Sequence, residues 1–217
     1  MLIEIWSDVV CPFCYIGKRK LEKALSKFTQ ISNPQIVWKS YQLMPDLDPK
    51  DYGLDLHQYL STKYHISIDE AKEMNQRVSS SAASYGLRYN LENAVVVNTL
   101  DAHRLSHLAA KHGKQNEMEE ILFRSYFTDG VDIAQHVNLI KLGTEIGINQ
   151  AEIEGLFSGV EFSQEVEMDI YESRQIGIRG VPFFLFERKY TISGAQDDIV
   201  FNQTLEKILQ EGNLQNE

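Results

Sequence analysis

Strand-forming runs occur in this chain only near its two ends, and the long stretch between them has helical spacing. Leu2 to Ser7 is short, apolar and rich in branched or aromatic residues, and a second such run, residues 35–41, follows the Ser32-Asn33-Pro34 break. Pro45 and Pro49, with Asp46 and Asp48, make an irregular connection that ends this first unit. Near the other end, residues 181–186 are a hydrophobic run, Glu187-Arg188-Lys189 a turn, and residues 190–193 a hairpin partner. Between residues 54 and 172 apolar positions recur at helical intervals: Leu56, Tyr59 and Leu60, then Val96, Leu100, Leu105 and Leu108, then Met118, Ile121 and Leu122. Breaks at Tyr85-Gly86, Thr128-Asp129-Gly130 and Ile146-Gly147 divide the pieces, and residues 160–177 and 199–209 read as further helices. Neither terminal α/β piece is long enough to bury a core alone, so the two are expected to share one sheet. The expected architecture is α/β. A discontinuous domain from residues 1–53 and 173–217 would carry an inserted helical domain, residues 54–172, that includes the returning helix.

At 217 residues, 43% of them hydrophobic and 24% charged, the chain can hold a core without covalent staples. Its 21 basic and 31 acidic residues leave a net charge of −10, which repels phosphate backbones and anionic lipid. Nucleic acid and membrane surfaces are therefore not expected partners. No apolar run approaches the ~20 residues that span a bilayer. Met1 leads straight into Leu2-Ile3-Glu4-Ile5-Trp6, without the basic region, apolar core and cleavage site of a secretory signal, so a cytoplasmic location is expected.

The two cysteines are Cys11 and Cys14, separated by Pro12 and Phe13. A bond between them closes almost no loop and contributes little to stability. Cys11 follows a strand and opens a helix whose apolar positions are Tyr15, Ile16, Leu21, Leu25 and Phe28. Pro12 suits the first turn of that helix, where an N–H would find no intrahelical partner. Backbone N–H groups and the macrodipole at a helix N-terminus favour an anionic sulfur, and the thiolate is the nucleophile in disulfide exchange. Cys14, one turn on, lies within reach to displace a mixed disulfide. Half a zinc site or two buried structural thiols are the competing readings. Zinc needs four ligands, and His103 and His107, spaced to share a helix face, belong to a separate block. No metal site is expected.

Cys11-Pro12-Phe13-Cys14 after a first strand, with Arg179-Gly180-Val181-Pro182 before a late one, resembles the DsbA-like family of thioredoxin-fold oxidoreductases. The stretch Asn98-Thr99-Leu100-Asp101-Ala102-His103-Arg104-Leu105 and the late Ser193-Gly194-Ala195-Gln196 are similar to its FrnE-like cytosolic branch. The resemblance covers nearly the whole chain. It implies a thioredoxin fold with a large all-helical insertion, and thiol–disulfide oxidoreduction on protein or small-molecule thiols, with Cys11 attacking and Cys14 resolving. It also implies a cis bond before Pro182 that holds the chain beside Cys11, leaving the Val181 backbone to pair with an extended substrate segment. A trans proline opening an edge strand is the alternative there. Val181, Phe13, Pro12 and Tyr126 are the residues expected to meet substrate, although Tyr126 with Phe127 also reads as plain packing. The cysteine pair needs no cofactor, and glutathione is a candidate co-substrate. Protein or peptide thiols and disulfides are the expected partners. Oligomeric state and the direction of electron flow stay open.

Two charges near the motif bear on its chemistry. Glu4, in a strand covered on both faces, would have a raised pKa and could accept the Cys14 proton; at a strand end it would point to solvent instead. Asp8, if turned inward, would oppose a thiolate. Phe13 offers neither charge nor donor where the strongly oxidising DsbA type has a histidine, so a less oxidising couple is expected. His103, Arg104 and His107 read as solvated or satisfied in the core, and Glu117, Glu119 and Glu120 as a solvated helix face. The resemblance extends to 2-hydroxychromene-2-carboxylate isomerases and kappa-class glutathione transferases. These offer a second reading, a glutathione-dependent isomerase or transferase. Such relatives place a serine where this chain has Cys11. A non-catalytic module that holds unfolded chains in an apolar groove is the third.

Overall fold

The computed structural model describes residues 1–214. Its centre is β1 (Leu2–Ser7), which pairs in parallel with β2 (Gln35–Ser40) on one side and antiparallel with β3 (Phe183–Phe186) on the other. β4 (Tyr190–Ser193) continues antiparallel from β3, giving the order β2-β1-β3-β4. Parallel neighbours require a crossover, and α1 (Pro12–Leu25) supplies it. The β3–β4 reversal places Glu187 and Arg188 both at φ 51°, with Lys189 N–H returning to Phe186 C=O at 2.9 Å. Positive φ at both central residues matches the twist of the paired strands, at a steric cost that glycine would avoid.

Between β2 and the second half of the sheet run α2 (Leu56–Tyr64), α3 (Ile68–Ala83), α4 (Leu100–Lys111), α5 (Gln115–Phe127), α6 (His136–Glu145), α7 (Gln150–Ser158) and α8 (Ser163–Gln175). A short 3-10 turn, Pro49–Asp51, leads into them, and α9 (Asp198–Leu214) follows β4. The stretch is not helical throughout. Val96, which the spacing joins to α4, lies before that helix in a connection whose Val95 bridges Asp55. Residues 160–177 also contract to α8, whose N-terminal flank is Phe162 at φ 62°, and α8 runs through position 172 to Gln175.

Strand parity sorts the two faces of the sheet. Ile3 and Ile5 share one face and a buried cluster with Cys14, Ile16, Leu21, Phe184, Phe186, Phe201 and Leu205, so α1 and α9 cover that side. Trp6 faces the other way, clusters with Ile178 and Leu185, and donates from Nε1 to Asp169 C=O of α8 at 3.0 Å. Among the described residues, the outer edge of β2 is met by side chains rather than by another strand. Gln115 accepts from Trp38 N–H at 3.1 Å and donates to Trp38 C=O at 2.9 Å, while Asp169 Oδ2 accepts from Ser40 N–H at 2.9 Å. Exposed edge groups would otherwise offer a template for pairing with another chain.

Candidate active site

Cys11 occupies the N-cap of α1 in extended geometry, with Pro12 in the first turn. Its own N–H is taken by Asp8 C=O at 2.9 Å, and its Sγ lies 3.5 Å from the Val181 carbonyl. The Val181–Pro182 peptide bond is cis. The first strand and the late strand thus bring their two short motifs together, although 170 positions separate the contacting residues. α1 can approach Pro182 because Gly17 faces it: a Cβ there would stand 2.9 Å from Pro182 Cγ and 3.0 Å from a Phe184 ring carbon. Any side chain at position 17 would push the motif away from the Val181–Pro182 segment.

The two sulfurs differ in access more than in burial. Cys11 is 4% exposed and Cys14 1%, and both are free thiols. Cys11 lines a cavity of about 460 Å³, however, and Cys14 does not. Burial, reinforced by the neighbouring Cys11 thiol, pushes the Cys14 thiol well above its ordinary pKa; the Ser7 hydroxyl and the Asp8 backbone pull the other way. The arrangement therefore gives one reachable sulfur and one sequestered, protonated sulfur behind it.

Pro12, Phe13 and Val181 line the same cavity as Cys11, opposite an apolar wall that includes Leu43, Leu56, Tyr59 and Leu60. Phe13 is 46% exposed and also borders a second cavity of about 350 Å³, formed with Val181 and residues 194–197. Tyr126 reaches the first cavity with its ring, but its hydroxyl already donates to Val95 C=O at 2.9 Å. That tyrosine offers an apolar surface and no free donor.

Glu4 is corrected. Its residue is buried and burial raises its pKa, with Arg188 and Lys39 offsetting part of the rise. Its face is the wrong one. Glu4 shares the Trp6 side of β1, where Oε1 accepts from Arg188 at 3.0 Å, while Ser7, on the other side, approaches Cys14. The carboxylate is thus not brought to the thiols. Two glutamates of α5, Glu119 and Glu120, are not on a solvated face, whereas Glu117 is exposed as expected. Glu119 is buried and accepts from Ser106 at 2.6 Å, and Glu120 bonds Tyr15 at 2.7 Å, Lys18 at 2.7 Å, and Arg19. Burial would raise the Glu120 carboxyl, but those three donors hold it down at about 2. α5 is packed against α1, so the side of it that carries Glu119 and Glu120 is an interior seam.

Tyr89 went unread, and the structure gives Asp8, His103 and His107 definite partners. The Tyr89 hydroxyl donates to Pro12 C=O at 2.7 Å and its ring stacks on Phe127 at 4.7 Å. Asp8 is fully buried, with Oδ2 accepting from Leu43 N–H at 2.7 Å and Oδ1 facing His103 Nε2 at 3.4 Å. His107 turns to Asp169 at 3.1 Å and to Ser40. Both histidines are thus turned to carboxylates of their own. Tyr89 sits in an irregular connection that no periodicity marks.

The sequence matches the DSBA-like thioredoxin domain over residues 2–206. The chain belongs to that family. A probable DsbA oxidoreductase from Streptomyces coelicolor is similar at 33% identity and a TM-score of 0.92, covering 97% of this chain and 91% of that one. A 2-hydroxychromene-2-carboxylate isomerase superposes with a TM-score of 0.71 at 13% identity, covering all of both chains (100% and 100%). The cytosolic disulfide reductase DsbM from Pseudomonas aeruginosa, solved with GSH, gives 0.69 at 18% identity, over 97% of this chain and 100% of that one. The last two likenesses are of fold. The DsbA-like fold here is the four-stranded mixed sheet with its large helical insertion. Among the described residues, no helix is long and apolar enough to cross a membrane.

Proposed function

We propose that this DsbA-like protein is a thiol–disulfide oxidoreductase whose redox centre is the Cys11–Cys14 pair. The observation that carries the reading is the asymmetry of the sulfurs: Cys11 opens onto the cavity beside the Val181 carbonyl, and Cys14 is sealed beneath it. Cys11 thiolate attacks a substrate disulfide, forming a mixed disulfide and releasing one thiolate. Cys14 then gives up its proton and attacks the Cys11 sulfur. The second substrate thiolate leaves, and two electrons have passed from the dithiol to the substrate. The reverse sequence oxidises a dithiol. Two cysteines suffice for this chemistry, so it calls for no metal, flavin or nicotinamide.

Val181 and Pro182 would receive an extended substrate segment, with Pro12, Phe13 and the Tyr126 ring as apolar contacts. Protein or peptide disulfides fit that groove. Glutathione is the candidate small-molecule co-substrate, supported by the likeness to a cytosolic disulfide reductase solved with GSH. The same likeness supports a cytoplasmic location. Replacing Cys11 with Ser should abolish exchange, whereas replacing Cys14 with Ser should accumulate mixed disulfides visible by mass spectrometry. Unchanged turnover in either variant would refute the assignment.

A second reading has one observation behind it, the full-length superposition on a 2-hydroxychromene-2-carboxylate isomerase. It expects glutathione-dependent isomerisation or conjugation without disulfide turnover. The sulfur at position 11 favours the first reading, because it is itself the nucleophile.

A further inference from the structure

Disulfide exchange as proposed leaves a set of buried ionisable groups behind the motif without a role: Asp8, His103 and Glu119. Asp8 joins three pieces of the chain. Its C=O holds the Cys11 N–H at 2.9 Å, its Oδ2 takes the Leu43 N–H of the segment after β2 at 2.7 Å, and its Oδ1 faces His103 of α4 at 3.4 Å. Its backbone also faces the Cys14 sulfur. Asp8 is fully buried three residues before Cys11, and a buried carboxylate in the neighbourhood of a thiol opposes the thiolate that exchange requires.

His103 answers that charge. Its Nε2 faces two acceptors, the Asp8 carboxylate and the Tyr41 carbonyl at 3.1 Å. A ring nitrogen between two acceptors carries a proton, so the His103 N–H bonds the Tyr41 carbonyl and stands 3.4 Å from Asp8 Oδ1, an oxygen with no hydrogen bond of its own, whether the ring is neutral or charged. Burial alone would depress the His103 pKa; Asp8, with Glu119 and the Tyr41 carbonyl, raises it above its ordinary value. Glu119 approaches from α5, held by Ser106 at 2.6 Å, and burial raises its carboxyl above the ordinary value against the Ser106 hydrogen bond and the neighbouring His103.

Building on the redox reading above, we infer that His103 is a positioning residue for the cysteine couple: its N–H toward Asp8 offsets the carboxylate's field at the sulfurs and so sets how stable the dithiol form is. A helix of the insertion thereby tunes a couple seated in the sheet domain. Removing the imidazole leaves Asp8 uncompensated, destabilises the thiolate and favours the disulfide. Removing the Asp8 charge does the opposite.

The test is the glutathione equilibrium, dithiol plus GSSG against disulfide plus two GSH. It is measured at pH 7 for wild type, His103→Gln, Asp8→Asn and the double variant, with circular dichroism to verify folding. The equilibrium constant should rise about three- to tenfold in His103→Gln and fall comparably in Asp8→Asn, tenfold being ~30 mV. The double variant should return to within about twofold of wild type, because the two side chains act on each other. Cys11 alkylation by iodoacetamide should slow in His103→Gln, which a purely structural role would not produce. Single variants that both shift the same way, or a His103→Gln constant within about twofold of wild type, would overturn the inference. If Asp8→Asn does not fold, the direction of the His103→Gln shift decides alone. Unshifted variants around a well-defined wild-type midpoint overturn only the role of His103. A wild-type chain with no midpoint overturns the redox reading and this inference with it.

Discussion

The hydroxyl of Tyr89 donates a 2.7 Å hydrogen bond to the carbonyl of Pro12, between the two cysteines. The bond ties the Cys-Pro-Phe-Cys turn to the connection between α3 and α4. The Tyr89 ring is held by stacking on Phe127 at 4.7 Å and, more loosely, on Tyr15 at 6.2 Å. Replacing Tyr89 with Phe keeps the stack and removes the bond. A loss of about 1 kcal/mol is expected, read as a Tm lower by ~2–4 °C, with slower exchange because the turn is less fixed. An unchanged Tm and rate would show that the bond does not matter.

Gly17 gives a second handle on the same geometry. An added Cβ would meet the rigid Pro182 ring at 2.9 Å, so Gly17→Ala must part α1 from the Val181–Pro182 segment. Overpacking of this kind costs about 1–3 kcal/mol. Exchange should fall by more than the loss of stability explains, because Cys11 and Val181 separate. A variant with full activity in denaturant-free buffer would mean that their spacing is unimportant.

Glu120 sets a pH dependence whose sign follows from its lowered pKa. The carboxylate is held at about 2 in the folded protein by Arg19, Lys18 and Tyr15, against an ordinary value of 4.5. The stabilisation is therefore complete above the ordinary value and is lost as pH falls through about 2. Its size is at most about 3 kcal/mol, less whatever solvent screens at its partly exposed side chain. Glu120→Gln should lower stability at pH 7 and flatten the acid limb of a stability–pH curve. An acid limb identical to wild type would remove Glu120 from that role.

Much of the sheet and the motif was legible because both are local. Branched and aromatic runs mark β1, β2 and the β3–β4 hairpin, and Pro12 after a strand marks the start of α1. What went unread depends on which side of an element is covered. Glu4 is one residue from the face that meets Cys14, and a single step of strand parity sends its carboxylate to Arg188 instead. Glu119 and Glu120 look like part of a solvated run, yet α5 lies between α4 and α1, so Glu119 meets Ser106 of the preceding helix and Glu120 meets α1, about a hundred residues back. The space that Gly17 leaves for Pro182 likewise depends on a contact between opposite ends of the chain. His103 carries no local signal of the carboxylate it meets.

Glu4 lies on the Arg188 side of β1. Glu4→Gln should leave the resolving step by Cys14 within about twofold of wild type, since the carboxylate is held on the opposite face by Arg188. Rapid-mixing measurement of mixed-disulfide decay checks this. A loss of about a hundredfold or more, the size expected on removing a general base, would restore Glu4 as the proton acceptor.

The central claim is that Cys11 and Cys14 form one two-electron couple. Equilibrating the protein in glutathione buffers of graded ratio, with acid quenching and thiol alkylation, tests it directly. The expected result is a single midpoint at which both cysteines lose reactivity together and the intramolecular disulfide appears by mass, with a tenfold change in the equilibrium constant spanning ~30 mV. Persistent reactivity of both thiols, or a stable glutathione adduct on Cys11 with Cys14 still free, would contradict it.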